Sequence, residues 1–175
     1  MTVEQVFEMA PLERNARVLT ALVAVFSVAA SVYLAVTGIG LVLVVGVPSL
    51  FLVLIAVPMA MAPTGYAVGA GELAVTRRAL RPLLFPLASL AAARPTGLPR
   101  SWRLGGSGGL FGFWGTWTNR DWGRFKIYAT DRRRGVLLEW PGFKLFVSPT
   151  DREGFCQAVL ARRGPGSGKR PRTAT

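Results

Sequence analysis

Between Val18 and Met61 the chain runs for 44 residues without an Asp, Glu, Lys or Arg, broken only by the turn-like string TGIG at Thr37–Gly40. About 20 apolar residues suffice for a helix to cross a bilayer core, so the run predicts two spans, 18–36 and 39–62, forming a transmembrane helical hairpin. Ser27, Ser31 and Ala35 stand four apart on the first span and Gly46 lies on the second. Small residues in such positions let partner helices pack closely. Ahead of the run, Val3, Val6 and Phe7 recur at helical spacing and predict a short amphipathic lead-in over 1–17.

From Pro63 the period changes. Short alternating runs fall at 64–68, 73–76, 124–130, 136–140 and 143–148, separated by the turn strings GAGE, DRRRG and WPG. Pro82 and Pro86 restrict 81–90 to an edge or bent strand. In 124–130, Phe125, Ile127 and Ala129 face one way and Arg124, Lys126, Tyr128 and Thr130 the other, which predicts one packed face and one solvated face. The string SPTDRE at 148–153 is a capping box with Thr150 as N-cap and Glu153 three residues on, and Phe155, Cys156, Val159 and Leu160 then give a terminal helix its apolar face. The chain therefore divides into a lead-in (1–17), a hairpin (18–62), a mainly-β domain (63–163) and a tail (164–175) whose composition predicts disorder.

Charge sharpens this picture. Of 21 Lys+Arg and 9 Asp+Glu, residues 1–62 hold two Arg and three Glu, so the net charge of +12 resides wholly in the C-terminal part. Such a field suits an anionic membrane face or a nucleic acid, while the preference for Arg over Lys also fits a compositional bias of the genome. Arg14 and Arg17 before the hairpin and Arg77, Arg78 and Arg81 after it, with no charge in the connection, predict that both termini are cytoplasmic in a multi-pass protein of the inner or plasma membrane. Cleavage of the first span as a signal peptide is the competing reading; the acidic leader (Glu4, Glu8, Glu13) and the unbroken apolar run argue against it. Neither span carries an ionisable group, so the hairpin reads as an anchor and not as a transport path.

Candidate chemistry is sparse. The chain has no His and a single Cys, Cys156, which removes imidazole acid–base work, His-containing metal sites and an intramolecular disulfide. Asp121, Asp131, Glu139, Asp151 and Glu153 do not pair as acid and base, so no catalytic residues, metal ligands or cofactors are assigned. The glycine-rich stretch Leu104–Gly123 has neither Gly-x-Gly-x-x-Gly nor Gly-Lys-Ser/Thr spacing and reads as strand or bulge backbone passing close to Phe111, Phe113, Trp114 and Trp117.

The strings GSGGLFGFWGTW, GRFKIYATDRRRGVLLEW and FKLFVSPTDREGF, in that order, resemble the bacterial pleckstrin-homology-like (PH-like) domain family of small membrane-anchored proteins, over about residues 64–162. The resemblance implies a barrel of about seven antiparallel strands in two sheets, closed by one C-terminal α-helix, and a non-enzymatic role in binding lipids, peptides or proteins. Phosphoinositide-binding members use basic residues in the loop joining the first two strands. Here that loop, Val68–Glu72, has no cation, so this specificity is not carried over.

The expected function is a membrane-tethered binding or scaffold module in contact with the lipid bilayer. Its partners would be a protein, its own copies, or anionic lipid headgroups met by Arg132, Arg133, Arg134, Arg120, Arg124 and Lys126. The alternative is an accessory small subunit of a membrane transport or envelope complex. Nucleic-acid binding, with Trp117 and Trp122 as stacking platforms, is the weaker reading.

Overall fold

The computed structural model describes residues 4–37, 41–69 and 71–163. The connection at 38–40 and the tail from 164 lie outside the described residues.

The lead-in is a strand, not an amphipathic helix. Residues Gln5–Glu8 form β1, antiparallel to β2 (Pro63–Val68), with Phe7 opposite Tyr66. The reason is a period of two: Phe7 is buried between exposed Val6 and Glu8, and its ring meets Phe155 edge-on at 5.3 Å. Tertiary burial of one aromatic outweighs a helical pattern far too short to sustain itself.

Two consecutive helices follow β1. Helix α1 (Arg14–Thr37) packs on α2 (Leu41–Met61), and the chain then returns to β2. The helices are therefore inserted between two strands that lie side by side. Among the described residues one stretch, Arg14–Tyr33, is long and apolar enough to cross a membrane, and little of it is buried inside the protein.

The β domain has two sheets. The four-stranded sheet runs β1-β2-β3-β4, where β3 is Glu72–Arg77 and β4, the proline-limited strand, is Leu83–Pro86 on the edge. The six-stranded sheet runs β5-β9-β10-β8-β7-β6, with β5 at Ala92–Thr96, β6 at Trp102–Gly109, β7 at Gly112–Asn119, β8 at Gly123–Ala129, β9 at Gly135–Trp140 and β10 at Phe143–Val147. Pairing is antiparallel except between β10 and β8, which run parallel. This exceeds the expected seven strands because β1, β5 and the glycine-rich β6 lack clear alternation in sequence. The sheets are also not closed into a barrel. Among the described residues they share no strand ladder and are linked by an isolated bridge, Met9 with Pro149, flanked by Ala10 N–H to Ser148 O and Thr150 N–H to Glu8 O, both 2.9 Å.

The main core fills the space between the sheets and under α3 (Arg152–Ala161), with Tyr66, Leu73, Val75, Leu138, Leu145, Phe155 and Val159 among its members. Tyr66 donates its hydroxyl to Tyr128 O at 2.7 Å and accepts from Ser148 N–H at 2.9 Å. Burial raises the Tyr66 phenol far above its ordinary range, so it stays protonated. A second cluster covers the outer face of the six-stranded sheet: Phe113, Trp117, Phe125, Ile127 and Phe146, capped by Ala16 at the start of α1 and by Leu12. The C-terminal half of β8 is consequently enclosed on both faces, while Arg124 near its start stays exposed. Tyr128 is only 8% exposed and Thr130 is also buried, in place of the solvated face expected for them.

Helix α3 starts one residue later than the capping box suggests. Thr150 gives its N–H to Glu8, and Asp151 becomes the N-cap, accepting from Gly154 N–H at 2.9 Å. Cys156 is a buried core residue, its thiol pushed up to about 11 chiefly by burial.

Candidate binding surface at the base of the helix pair

The turn between β8 and β9 carries Asp131, Arg132, Arg133 and Arg134, and it folds back onto the first turn of α1. Arg132 donates from Nε to Glu13 Oε2 at 3.1 Å and from a terminal nitrogen to Glu13 Oε1 at 3.3 Å. Its guanidinium also lies 4.6 Å from the centre of the Phe113 ring. Glu13 has a side chain only 8% exposed, gives its N–H to Thr130 O at 3.0 Å and lies 4.0 Å from Arg133 Nε. Next to this pair the Thr130 hydroxyl bonds the Ala10 carbonyl, and Ser148 Oγ accepts from Thr130 N–H at 2.8 Å. The start of the helix is thus fastened to the domain by a fork-to-carboxylate pair over an aromatic ring. Glu13→Ala leaves Arg132 facing no carboxylate and is expected to destabilise the folded domain by about 1–3 kcal/mol. A double-mutant cycle with Arg132→Ala in thermal unfolding should return a coupling of about 1 kcal/mol, and a coupling near zero would show that the pair contributes nothing.

The six predicted anion contacts do not form one patch. Arg133, with a side chain 80% exposed, lines a cleft of about 790 Å³ with Arg14 and Arg17, together with Glu13 and Asp131, and exposed Arg134 follows it in the same turn. Arg132 belongs to the same end but is engaged by Glu13. Arg120 and Arg124 sit at the β7–β8 turn, at the far end of β8, about 20 Å away at the usual rise along a strand. Lys126, on the same strand, is half-buried, and burial together with Arg124 lowers its pKa from the ordinary lysine value. The basic residues thus separate into a collar at the base of α1 and a distal group.

The helix-packing residues separate as well. Ser27 is buried and donates to Val23 O at 2.7 Å, and Ser31 donates to Ser27 O at 2.8 Å. Gly46 is exposed, and a Cβ built there meets no heavy atom within 4 Å. The Ala35 side chain lies outside the described residues.

The glycine-rich stretch forms the β6–β7 hairpin, whose tip leans on α1: Phe111 N–H donates to Thr20 Oγ1 at 3.3 Å. Phe111 holds a left-handed φ of 55°, rare for a residue with a side chain. Strand β6 is an outer edge of its sheet and exposes Trp102 (68%) and Leu104 (59%), with Arg100 6.0 Å from the Trp102 ring. Trp117 is buried, and Trp122 is half-buried and stacks on Phe146 at 5.9 Å, so both rings are engaged in packing within the domain. Sequence reasoning missed Glu13, Trp102 and Arg103. Glu13 had one signal, as the last acid before the uncharged run; the other two had only their position at the head of the glycine stretch. Among the described residues no three His, Cys, Asp or Glu side chains gather as a metal site.

A sandwich of two sheets packed with one C-terminal helix is the architecture expected of a PH-like domain, and comparison with known families agrees. The family model described as Bacterial PH domain matches residues 73–163, just over half of the chain. The chain belongs to the bacterial PH domain family. The matched segment opens at the first residues of β3, so β1 and β2, which complete the same sheet, precede it. No curated protein and no solved structure matches the chain.

Proposed function

We propose that this protein is a membrane-tethered, non-enzymatic binding module, in which α1 and α2 cross the bilayer as a hairpin and hold the PH-like domain against the cytoplasmic face. One observation carries the reading: β1 and β2 are hydrogen-bonded neighbours although both helices lie between them in the chain. A chain that leaves the sheet at Glu8 and rejoins it at Pro63 has to return to the side from which it set out. A pair of crossings satisfies this, and a single crossing does not.

Three further features support it. The apolar side chains of α1 point outward along its length, including Leu22, Val25, Phe26, Val28, Val32 and Val36, and water is a poor neighbour for such a surface. The sequence of α2, 21 residues from Leu41 to Met61, contains no charge. Arg14, Arg17 and Arg133 line one cleft at the start of α1, the level at which anionic headgroups would stand if α1 crosses the bilayer. Each such cation near an anionic leaflet contributes about 1 kcal/mol.

Alkaline carbonate extraction of membranes containing the full chain tests the tether. The protein should remain in the membrane pellet; release into the supernatant, as for a peripherally bound domain, would contradict the proposal.

A further inference from the structure

Helix α1 passes the ends of three strands before it leaves the domain. Glu13 N–H meets Thr130 O just after β8, Ala16 packs in one cluster with Phe113 of β7, and Phe111 N–H at the β6–β7 tip donates to Thr20 Oγ1 at 3.3 Å. A Cβ built on Gly109 of β6 would lie 3.6 Å from Leu19. Beyond this point Leu22, Val25 and Phe26 are exposed, so the helix departs across β6, the outer strand of the six-stranded sheet. A second cleft, of about 570 Å³, is walled by Leu19, by Pro58 of α2 and by Trp102, Arg103 and Gly106 of β6. This strand therefore runs beside the domain-proximal ends of both helices.

Among the described residues β6 is also the least protected sheet edge. Strand β1 has four residues, β4 carries Pro86 and β5 carries Pro95, and short strands and prolines blunt an edge against pairing. Strand β6 has eight residues, four of them glycine, and no proline. Trp102 and Leu104 are largely exposed on it, and the register with β7 shifts at Leu104. No Asp or Glu occurs between Leu73 and Arg120, while Arg100 and Arg103 flank Trp102.

We propose that the β6 edge is a bilayer contact, in which Trp102 and Leu104 seat in the interface of the leaflet that α1 and α2 enter and hold the domain edge-on against it. The inference rests on the tethering reading above. Leu19 and Thr20 are the second and third residues of the uncharged run and Pro58 is the fourth from its end, which sets β6 level with the outermost turn of each span. Indole rings concentrate at that depth, with the apolar body inward and the N–H toward water. A free strand edge carries unpaired N–H and C=O groups that hydrocarbon does not tolerate, so the β6 backbone stays among hydrated headgroups and only the two side chains reach deeper. With no acid nearby, the edge meets no repulsion from an anionic leaflet. A second copy pairing along β6 would instead bring together two arginine-bearing edges that lack a carboxylate, which disfavours it.

The test uses the full chain, with Leu104→Cys or Pro95→Cys labelled by an NBD fluorophore, in phosphatidylcholine–phosphatidylglycerol vesicles containing lipid with a nitroxide near the top of the acyl chain. Native Cys156 is buried, and Pro95 is exposed on β5 at the opposite edge of the same sheet. Nitroxide quenching at 104 should exceed that at 95 by about threefold or more, because the two edges stand roughly 24 Å apart at the usual strand spacing and quenching is short-ranged. Adding Trp102→Ser should lower the quenching at 104 towards the value at 95. Equal quenching at the two positions, or quenching at 104 that ignores Trp102, would overturn the proposal. A blue-shifted NBD emission at 104 that lipid nitroxides do not quench, and that grows with the protein-to-lipid ratio, would assign the edge to a second copy and overturn the bilayer contact. A chain that fails to float with the vesicles would instead remove the tethering reading, so the two failures are distinguishable.

Discussion

Phe155→Ala is expected to cost about 3–5 kcal/mol of domain stability, the range for emptying a fully buried aromatic site. Phe155 is completely buried and joins three parts of the fold: its ring meets Phe7 of β1 at 5.3 Å and Tyr66 of β2 at 5.7 Å, both edge-on, while its backbone lies in the first turn of α3. The cavity cannot collapse easily, because Tyr66 is held by two hydrogen bonds and β1 is tied to β10 through the Met9–Pro149 bridge. A further consequence separates this site from an ordinary core position. Since Phe7 precedes the helix pair, loosening β1 should also expose the residues before α1 to proteolysis, and limited digestion should cut the variant ahead of Arg14 while sparing the parent protein. Equal digestion of the two would show that β1 does not depend on Phe155.

Gly115→Ala should be nearly as damaging, at about 3 kcal/mol or more. Gly115 and Gly106 face each other across β7 and β6, with φ of 116° and 101°. A Cβ on Gly115 would be driven into the Gly105 carbonyl and to 2.8 Å from the Gly106 Cα, and both are backbone atoms that cannot turn aside. Neither the conformation nor the spacing admits a side chain. Gly71→Ala serves as the control: its φ is also positive, at 86°, but no atom lies within 4 Å of the added carbon, so it should lose about 1 kcal/mol by thermal unfolding. Equal losses at the two positions would mean that backbone strain alone, and not the close approach of the strands, makes glycine necessary at Gly115.

What could be read from the sequence follows from how local each signal is. The strands at 64–68, 73–76, 124–130, 136–140 and 143–148 were legible because alternation and turn residues act over a few positions, and the structure places β2, β3, β8, β9 and β10 there. Strand β1 was hidden because its four residues carry one inward side chain, and their partner lies some 60 positions away across two helices. Strand β6 was hidden because Gly105, Gly106, Gly108 and Gly109 have no side chains to alternate. The N-cap moved from Thr150 to Asp151 through a hydrogen bond to Glu8, an interaction that no local motif encodes. The basic surface was legible as residues but not as geometry. Arg132 and Arg124 are eight positions apart in sequence but lie at opposite ends of β8, and one of them is held by a glutamate more than a hundred positions upstream.

Site-specific labelling with a membrane-impermeant maleimide on intact cells tests the central claim most directly. Cys156 gives little background, because it is buried and burial pushes its thiol up to about 11. Cysteines are introduced one at a time as Glu4→Cys beside β1, Thr37→Cys at the far end of α1 and Glu72→Cys at the start of β3. The hairpin account predicts that Thr37→Cys is labelled on intact cells, and that Glu4→Cys and Glu72→Cys are labelled only after permeabilisation. Labelling of Glu4→Cys and Glu72→Cys from opposite sides, or of Thr37→Cys from the same side as both, would contradict it.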